Sequence, residues 1–448
     1  MKRQRLFPST GGADSPTASV SSEARRISNA AIPAFALIPM LQHSGSAARC
    51  LVRPGDRVQE GMLIGKADGA RSANVHSSVP GTVVRVERTT GADGTVSAAA
   101  LVEFGGEFER TGKAPAVEDW EKLSRSDLLG RIRSAGVVGL GGGLQPTHLK
   151  LAREPGRVAS RLIANGLDCE PSLQGDTFLM REKSAEIVTG MLICGKILGT
   201  ARMVLAIGLA QEEELLPLFH RASEHVDRAF EVVPLPSRYP LGHEDLVRAA
   251  VLAKAGDADG DRGAENGSAE CVVLNVSTLF AVYEAVVRGR PMIERTVTVS
   301  GSAVRRPSVL KVRIGTRVGD LFEECGGFLE QPGKVVLGGP MRGVAVSSLD
   351  FPVTKGVSGV LAYTRAEARP GPEMPCIRCG ACVEACPWEL VPTRLHKLIE
   401  RGEIAQALAE GLSSCTECGC CAYACPSRIP LVESLRQGKR RGAPSHHG

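Results

Sequence analysis

Aromatic side chains are scarce in this sequence, where Phe, Trp and Tyr together make up 4% of the 448 residues. Proteins that bind single-stranded nucleic acid stack successive bases on such rings, and few rings are available here. A strong excess of one charge is also lacking, because 54 Lys and Arg against 49 Asp and Glu leave a formal net charge of +5. The composition therefore argues against a nucleic-acid-binding protein.

An uninterrupted hydrophobic run long enough to cross a membrane is missing as well. The most apolar stretch, residues 187–209, contains Lys196 and Arg202. It therefore predicts the end of a helix, a turn and a buried strand at 203–207. The basic first residues are followed by Pro8 and two glycines instead of an apolar segment, so we expect no export signal.

Cysteine, in contrast, is plentiful, and eight of the 14 Cys form two runs of the same spacing, C-x2-C-x2-C-x3-C before a proline. The first run is Cys376, Cys379, Cys382 and Cys386, and the second is Cys415, Cys418, Cys421 and Cys425. This spacing is typical of bacterial ferredoxins with two [4Fe-4S] clusters, in which the fourth cysteine of each run binds the other cluster. The first cluster is therefore assigned to Cys376, Cys379, Cys382 and Cys425, and the second to Cys415, Cys418, Cys421 and Cys386.

The alternative for these cysteines is a pair of zinc sites, because C-x2-C pairs also bind zinc. A zinc site needs only four ligands and does not account for two identical runs that each end in Cys-Pro. Cys420 lies inside the second run but off its spacing, so we expect it beside the cluster and not among the iron ligands. Iron–sulfur ligation implies a reducing compartment.

The N-terminal part of the chain has short alternating strands separated by glycine turns, from Pro54 to Val86. This pattern resembles the barrel-sandwich hybrid fold of biotinyl and lipoyl carrier domains. Ala70, Arg71 and Ser72 stand where a carrier has its modified lysine. We therefore expect a structural or docking module without a swinging arm.

The middle of the chain repeats the order strand, polar tip and helix, at 162–171, 239–244 and 272–278. Such repeats indicate an α/β domain whose sites gather at the carboxyl ends of the strands. Three glycines at 141–143 lie between an apolar run and a helix, where backbone N–H groups can contact a phosphate or a flat ring. The stretch from 297 to 343 alternates with period two around turns and predicts a small mixed β domain.

Taken together, these motifs resemble the C subunit of Rnf (Rsx) ion-translocating electron-transport complexes, whose core is related to the flavin subunit of respiratory complex I. The most specific segments are Glu170-Pro171 ahead of 179–182, the stretch 290–301, and Gly338-Gly339-Pro340-Met341. The resemblance implies a multidomain α/β and α+β fold. Its parts are a disordered tail (1–31), a barrel-sandwich hybrid domain (32–110), an α/β FMN/NAD-type domain (120–290) with a mobile insert (254–269), a soluble-ligand-binding β-grasp domain (291–350), a ferredoxin-type domain with two [4Fe-4S] clusters (370–436) and a basic tail (437–448).

The resemblance also implies a function. Members of the family are peripheral subunits at the cytoplasmic face of the bacterial inner membrane, without a transmembrane segment of their own. They pass electrons between NAD(H) and ferredoxin through FMN and two [4Fe-4S] clusters. Their partners are integral membrane subunits that translocate Na⁺ or H⁺ and a ferredoxin-like subunit, and nucleic acid is not among them.

Site residues carry over by position. Those expected to hold FMN, with Lys150 at its phosphate, are Gly141, Gly142, Gly143, Thr147 and Lys150. Those expected to hydrogen-bond the flavin are Asn165, Asn275 and Thr278. Those expected on the nicotinamide nucleotide side are Asp168, Glu170 and Glu244.

Three departures from the family pattern fall at this site: Leu144-Gln145 replaces Gly-Phe, Leu167-Asp168 replaces Ala-Glu, and Ser277 replaces Gly. A leucine in place of glycine adds a branched side chain where the backbone would approach the ring. The departures favour a second hypothesis, an electron-relay and scaffold subunit with a decayed flavin and NAD site. A third hypothesis is a cobalamin reductase of diol-degrading microcompartments, which shares these domains.

Overall fold

The computed structural model describes residues 13–14, 26–108, 119–152, 158–168, 170–224, 229–255, 271–368 and 371–442. Most of the predicted N-terminal tail, all but the first two residues of the predicted insert 254–269, and residues 443–448 lie outside this part. Within the described residues, no helix has the length and apolar character needed to cross a membrane.

The first domain consists of two small antiparallel sheets. The strands, preceded by β1 (Ala13–Asp14) and β2 (Ser28–Asn29), are β3 (Phe35–Pro39), β4 (Arg49–Cys50), β5 (Arg57–Val58), β6 (Leu63–Lys66), β7 (Val75–His76), β8 (Gly81–Thr90) and β9 (Val96–Phe104). One sheet has the order β3-β9-β8-β5 and the other β4-β6-β7. Ile38 and Val102 from the first sheet share a core with Ile64 from the second, as expected for two packed sheets.

The second domain is a parallel α/β unit. Its elements are α1 (Arg125–Ser134), α2 (Thr147–Leu151), β10 (Leu162–Gly166), α3 (Gly175–Leu198), β11 (Arg202–Gly208), α4 (Glu212–Ser223), β12 (Ala229–Leu235), β13 (Arg238–Tyr239), α5 (Glu244–Lys254), β14 (Val272–Asn275) and α6 (Val276–Val287). The sheet order is β12-β11-β10-β14, with all pairs parallel. Helix α3 packs closely against α6 at Gly190. A Cβ at this position would lie 2.1 Å from the Leu279 carbonyl oxygen, so only glycine fits there.

One detail of the second domain differs from the sequence prediction. Strand β14 ends at Asn275, so Ser277 and Thr278 lie in the first turn of α6 and not at the strand tip. The Asn275 side chain begins this helix by accepting the N–H of Ser277 at 2.8 Å, and residues with this capping role favour helix starts.

The third domain is a six-stranded mixed sheet with one helix. Its elements are β15 (Glu294–Ser300), β16 (Ser308–Arg313), α7 (Val318–Glu324), β17 (Lys334–Leu337), β18 (Val344–Val346) and β19 (Gly359–Tyr363). The order is β18-β17-β19-β15-β16-β2. Two predicted boundaries are corrected. Strand β19 lies inside the sheet, past the predicted domain end at 350, and β2 extends the sheet edge although 1–31 was predicted to be disordered.

The fourth domain holds the two cysteine runs. Its helices, preceded by the short α8 (Arg365–Ala368), are α9 (Ala381–Glu384), α10 (Pro392–Glu400), α11 (Ile404–Ala409), α12 (Cys420–Tyr423) and α13 (Leu431–Gly442). Residues 437–442 of the predicted basic tail belong to α13, which corrects that prediction. The helix continues because Leu435 and Gly438 are buried and the Lys439 ammonium pairs with Glu417 at 3.3 Å.

Candidate functional site

Four cysteines from both runs surround one cavity in the fourth domain. The cavity has a volume of about 360 Å³, and its lining includes Cys376, Cys379, Cys382 and Cys425. The first three thiols come from the loop and turn around Gly380, whose positive φ of 82° starts α9. The structure therefore brings together the four cysteines that the spacing assigned to the first cluster.

The other four cysteines form a second group. Cys386 lies close enough to Cys418 for their charges to interact, and Cys415 and Cys421 interact with both. The backbone repeats the geometry of the first run: Gly419 has a φ of 83° before α12, as Gly380 does before α9. The second predicted group is thus also brought together.

The geometry around these thiols can be tested against a single metal ion. Among the described residues, no three or more His, Cys, Asp or Glu side chains are grouped so that they could hold one ion. A zinc site draws four ligands around one point, whereas each thiolate of a cubane binds a different iron. Four thiols spread around one cavity are the arrangement that a cubane needs, with one thiolate at each iron.

A larger cleft of about 670 Å³ lies where the four domains meet. Six predicted site residues line it: Gly141, Gly142, Asn165, Asp168, Glu170 and Asn275. Five others are not among its lining residues: Gly143, Thr147, Lys150, Glu244 and Thr278. Asn165 and Asn275 are neighbours because β10 and β14 pair them in register. The carboxyl ends of these strands therefore open into the cleft, as in other parallel α/β sheets.

Lys150, predicted at the FMN phosphate, and Glu244, predicted on the nicotinamide nucleotide side, contact each other. The Lys150 ammonium donates to the Glu244 carboxylate at 2.6 Å. Thr278 accepts the Leu140 N–H at 2.9 Å, which holds the start of the glycine-rich loop on α6. Thr278 therefore positions the glycine-rich loop, while Lys150 and Glu244 join α2 to α5.

The two partly buried carboxylates of the site have different partners. Asp168 accepts the N–H groups of Asp176 at 3.2 Å and Thr177 at 2.9 Å, so it caps the start of α3. Burial, and then the charge of Asp176, raises the pKa of Asp168 to about 7. Burial also raises the pKa of Glu170, which accepts the Met341 N–H at 3.1 Å and has its Oε1 buried without a protein partner.

Leu144, the most conspicuous departure from the family pattern, is accommodated. It keeps the backbone conformation of a glycine, with φ of 49°. Its side chain lies toward Gly356, where a Cβ would be 2.9 Å from Leu144 Cδ1. A cleft of about 670 Å³ remains beside it. Ser277 also fits, because its hydroxyl donates to Asp176 at 2.5 Å.

Several lining residues were missed by sequence reasoning. Arg295 and Arg342 come from the third domain, His43 from the first, and Cys418 from the fourth. Tyr239 donates its hydroxyl to the Cys418 carbonyl oxygen at 2.6 Å, which ties the cleft to the second cysteine group. Cys418 was predicted as a cluster ligand but not as part of this cleft. No local pattern could have placed these residues here, because the first, third and fourth domains all contribute to the lining.

Replacing Gly339 with alanine is expected to lower stability by about 1–3 kcal/mol through loss of a buried hydrogen bond. The new Cβ would lie 2.2 Å from Glu170 Oε2, so the carboxylate must leave the Met341 N–H. Thermal unfolding measures the effect. Gly130→Ala on α1, with no atom within 4 Å of the new Cβ, is the control and should not destabilise. Equal midpoints for Gly339→Ala and the wild type would refute this account.

The fold and these two sites define a class: electron-transfer proteins that join a flavin-type nucleotide domain to two iron–sulfur clusters. Family models match each part of the chain. They are the RnfC barrel sandwich hybrid domain (7–107), the Nuo51 FMN-binding domain (132–284), the SLBB domain (296–345) and a 4Fe-4S dicluster domain (375–429).

Three curated relatives align over most of the chain. The C subunit of the proton-translocating ferredoxin:NAD(+) oxidoreductase complex of Clostridium ljungdahlii is 38% identical, covering 85% of this chain and 82% of the relative. The C subunit of the ion-translocating oxidoreductase complex of Rhodobacter capsulatus is 37% identical, covering 91% and 78%. The C subunit of the Na(+)-translocating ferredoxin:NAD(+) oxidoreductase complex of Acetobacterium woodii is 34% identical, covering 91% of each. The chain belongs to this family, the C subunits of ion-translocating oxidoreductase complexes.

A solved structure shares the fold. An NAD⁺-reducing [NiFe]-hydrogenase in its air-oxidised state superposes with a TM-score of 0.51 at 19% identity. The match covers 75% of this chain and 66% of that chain.

Proposed function

We propose that this chain passes electrons between NAD(H) and a ferredoxin-type partner within a membrane-bound, ion-translocating complex. The observation that carries the proposal is the position of Cys418, which lines the cleft and belongs to the second cysteine group. A flavin in the cleft would therefore have an iron–sulfur cluster as its neighbour. FMN, when bound, supplies the conversion of a two-electron hydride into single electrons.

The residues that line the cleft would bind the flavin and fix its orientation. The turn at Gly142, with φ of 102° and no side chain, allows close approach of a ring or phosphate to backbone N–H groups. The amides of Asn165 and Asn275 at the strand ends are hydrogen-bonded within the protein and fix the wall of the cleft. Glu170 has a buried carboxylate oxygen available for a ligand donor. Lys150 and Glu244 form an ion pair that joins α2 to the start of α5.

The two cysteine groups form an ordered path away from the cleft. The second group adjoins the cleft through Cys418, while Cys376 and Cys379 of the first group are exposed. Ile377 between them is 68% exposed. The first cluster is therefore the natural contact for a ferredoxin-like protein, since the chain reaches its surface there.

Assembly and location belong to the same proposal. The partners are integral membrane subunits that translocate Na⁺ or H⁺ and a ferredoxin-like subunit, with this chain peripheral at the cytoplasmic face of the bacterial inner membrane. Support comes from relatives named as subunits of proton- and Na⁺-translocating complexes. Identities of 38% and 34% do not separate the two ions.

Anaerobic purification followed by cofactor analysis tests the function. We expect about eight irons and as many sulfides per chain from two cubanes, together with one FMN. NADH should bleach the flavin absorbance and then that of the clusters. About eight irons without flavin or a response to NADH would contradict the proposal and leave the electron-relay hypothesis.

A further inference from the structure

One arginine in the cleft carries a buried charge without a direct ion pair among the described residues. The Arg295 side chain on β15 is 5% exposed, and its Nε is buried without a hydrogen-bond partner. Among the described residues, no carboxylate lies within ion-pair distance of its guanidinium. Burying a charge costs several kcal/mol unless it is paired. The charge of Asp176 acts on Arg295 without a direct ion pair, and its effect is smaller than that of burial, so it offsets the cost only in part.

The surroundings of Arg295 are those of an anion site. It lines the cleft together with Gly141, Asn275 and Ser277. Helix α6, 12 residues long, begins beside it, and the positive end of the helix dipole adds to the guanidinium charge. One carboxylate opposes this, that of Asp176, but the Asn275 amide at 2.6 Å and the Ser277 hydroxyl hold it.

Lys150, which the family resemblance placed at the phosphate, already forms an ion pair within the protein. Lys150 gives its ammonium to Glu244 at 2.6 Å and is not among the residues lining the cleft. Arg295 has its guanidinium free of such a pair, and a guanidinium matches two phosphate oxygens at once.

We infer that Arg295 binds the phosphate monoester of FMN. This assignment rests on the proposed function and specifies how the cleft recognises its cofactor. No bond is made or broken, because the contact is a charge-assisted hydrogen bond. The paired state also removes the cost of the buried guanidinium, so FMN should stabilise the protein more than a flavin without phosphate.

Comparison of FMN with riboflavin isolates the phosphate, because the two ligands differ only in that group. The full chain, with its clusters loaded and flavin removed, is titrated with each ligand as wild type, Arg295→Met and Lys150→Ala. For Arg295→Met we expect FMN affinity to fall about tenfold or more, the equivalent of about 1.4 kcal/mol. Riboflavin affinity should stay within about twofold, which corresponds to about 0.4 kcal/mol.

Thermal unfolding separates binding from folding in the same proteins. Replacement of an unpaired buried charge by an apolar side chain of similar volume is often neutral or stabilising. Flavin-free Arg295→Met should therefore unfold at or above the wild-type temperature, while the extra shift that FMN gives over riboflavin disappears.

Three results would overturn the assignment to Arg295. Equal loss of FMN and riboflavin affinity in Arg295→Met would mean a structural role. A phosphate-selective loss in Lys150→Ala alone would move the contact to Lys150. Weaker NADH binding with unchanged FMN binding would place the diphosphate of the dinucleotide there. A wild type that binds both flavins equally well refutes the inference alone, whereas one that binds neither refutes the proposed function with it.

Discussion

Cys386→Ser is expected to remove the second iron–sulfur cluster and to leave the first, although Cys386 belongs to the first cysteine run. The reason is position: Cys386 interacts with Cys418 of the other run and is not among the residues around the first cavity. A serine hydroxyl does not replace a thiolate as a soft ligand of iron. Iron and sulfide per chain should fall by about half, since each cubane holds four of each.

The reciprocal variant sharpens the test. Cys425→Ser, in the second run, should remove the first cluster, because Cys425 lines that cavity. EPR spectra of the reduced proteins would show complementary signals in the two variants. Cys420→Ser is the matched control: Cys420 packs against Tyr239 and Ala385, and both clusters should remain. Loss of the same signal in Cys386→Ser and Cys425→Ser would disprove the crossed arrangement.

Lys355→Met is expected to lower the free energy of unfolding by about 2–4 kcal/mol, because it leaves buried carbonyl groups unpaired. Lys355 is 1% exposed. Its ammonium donates to the Asn74 carbonyl at 2.8 Å and the Gly136 carbonyl at 2.7 Å, while its N–H donates to Gln42 at 3.1 Å. It thereby joins three domains. Limited proteolysis should cut the variant faster between them.

The cost of Lys355→Met should also depend on pH. Burial lowers the pKa of Lys355 to about 7 from an ordinary value of 10.5. Between these values the unfolded chain binds a proton that the folded protein does not, so the wild type gains stability as pH rises from 7 to 10.5 and loses it as pH falls through 7. The variant lacks this gain. The difference between the two proteins should therefore grow with pH.

The free energy of unfolding measured at pH 7, 8 and 9 checks this dependence. The difference between the two proteins should grow by up to about 1.4 kcal/mol for each pH unit. His43 and His76 face the same junction, and burial, with a smaller effect of the Lys355 charge, lowers both their pKa values. These histidines titrate below the window of the test. Lys334→Met, at the exposed start of β17, is the control. The same pH dependence in Lys355→Met and the wild type would show that Lys355 is not the source.

A helix or strand was predictable where the spacing of apolar residues and the residues that end the element agree. The strand predicted at 203–207 is confirmed within β11. The crossed grouping of the cysteines followed from their spacing, because three ligands on one loop leave the fourth displaced. The family was recognisable for the same reason, since its motifs are continuous in sequence.

Contacts between distant residues were not predictable in this way. The domain end at 350 was placed too early because β19 joins the sheet by parallel pairing with β15, which no local pattern reports. The family resemblance assigned Lys150 to a phosphate. Only the fold brings Glu244 to it.

The sequence by itself determined the cysteine sites, the order of the domains and the family, because each depends on residues close together along the chain. The tertiary structure alone decided which side chains meet in the cleft. Arg295, Tyr239 and Cys418 come from three different domains, and their roles follow from burial and distance. Burial without a partner is a property of packing, so the inference about Arg295 had to wait for the fold.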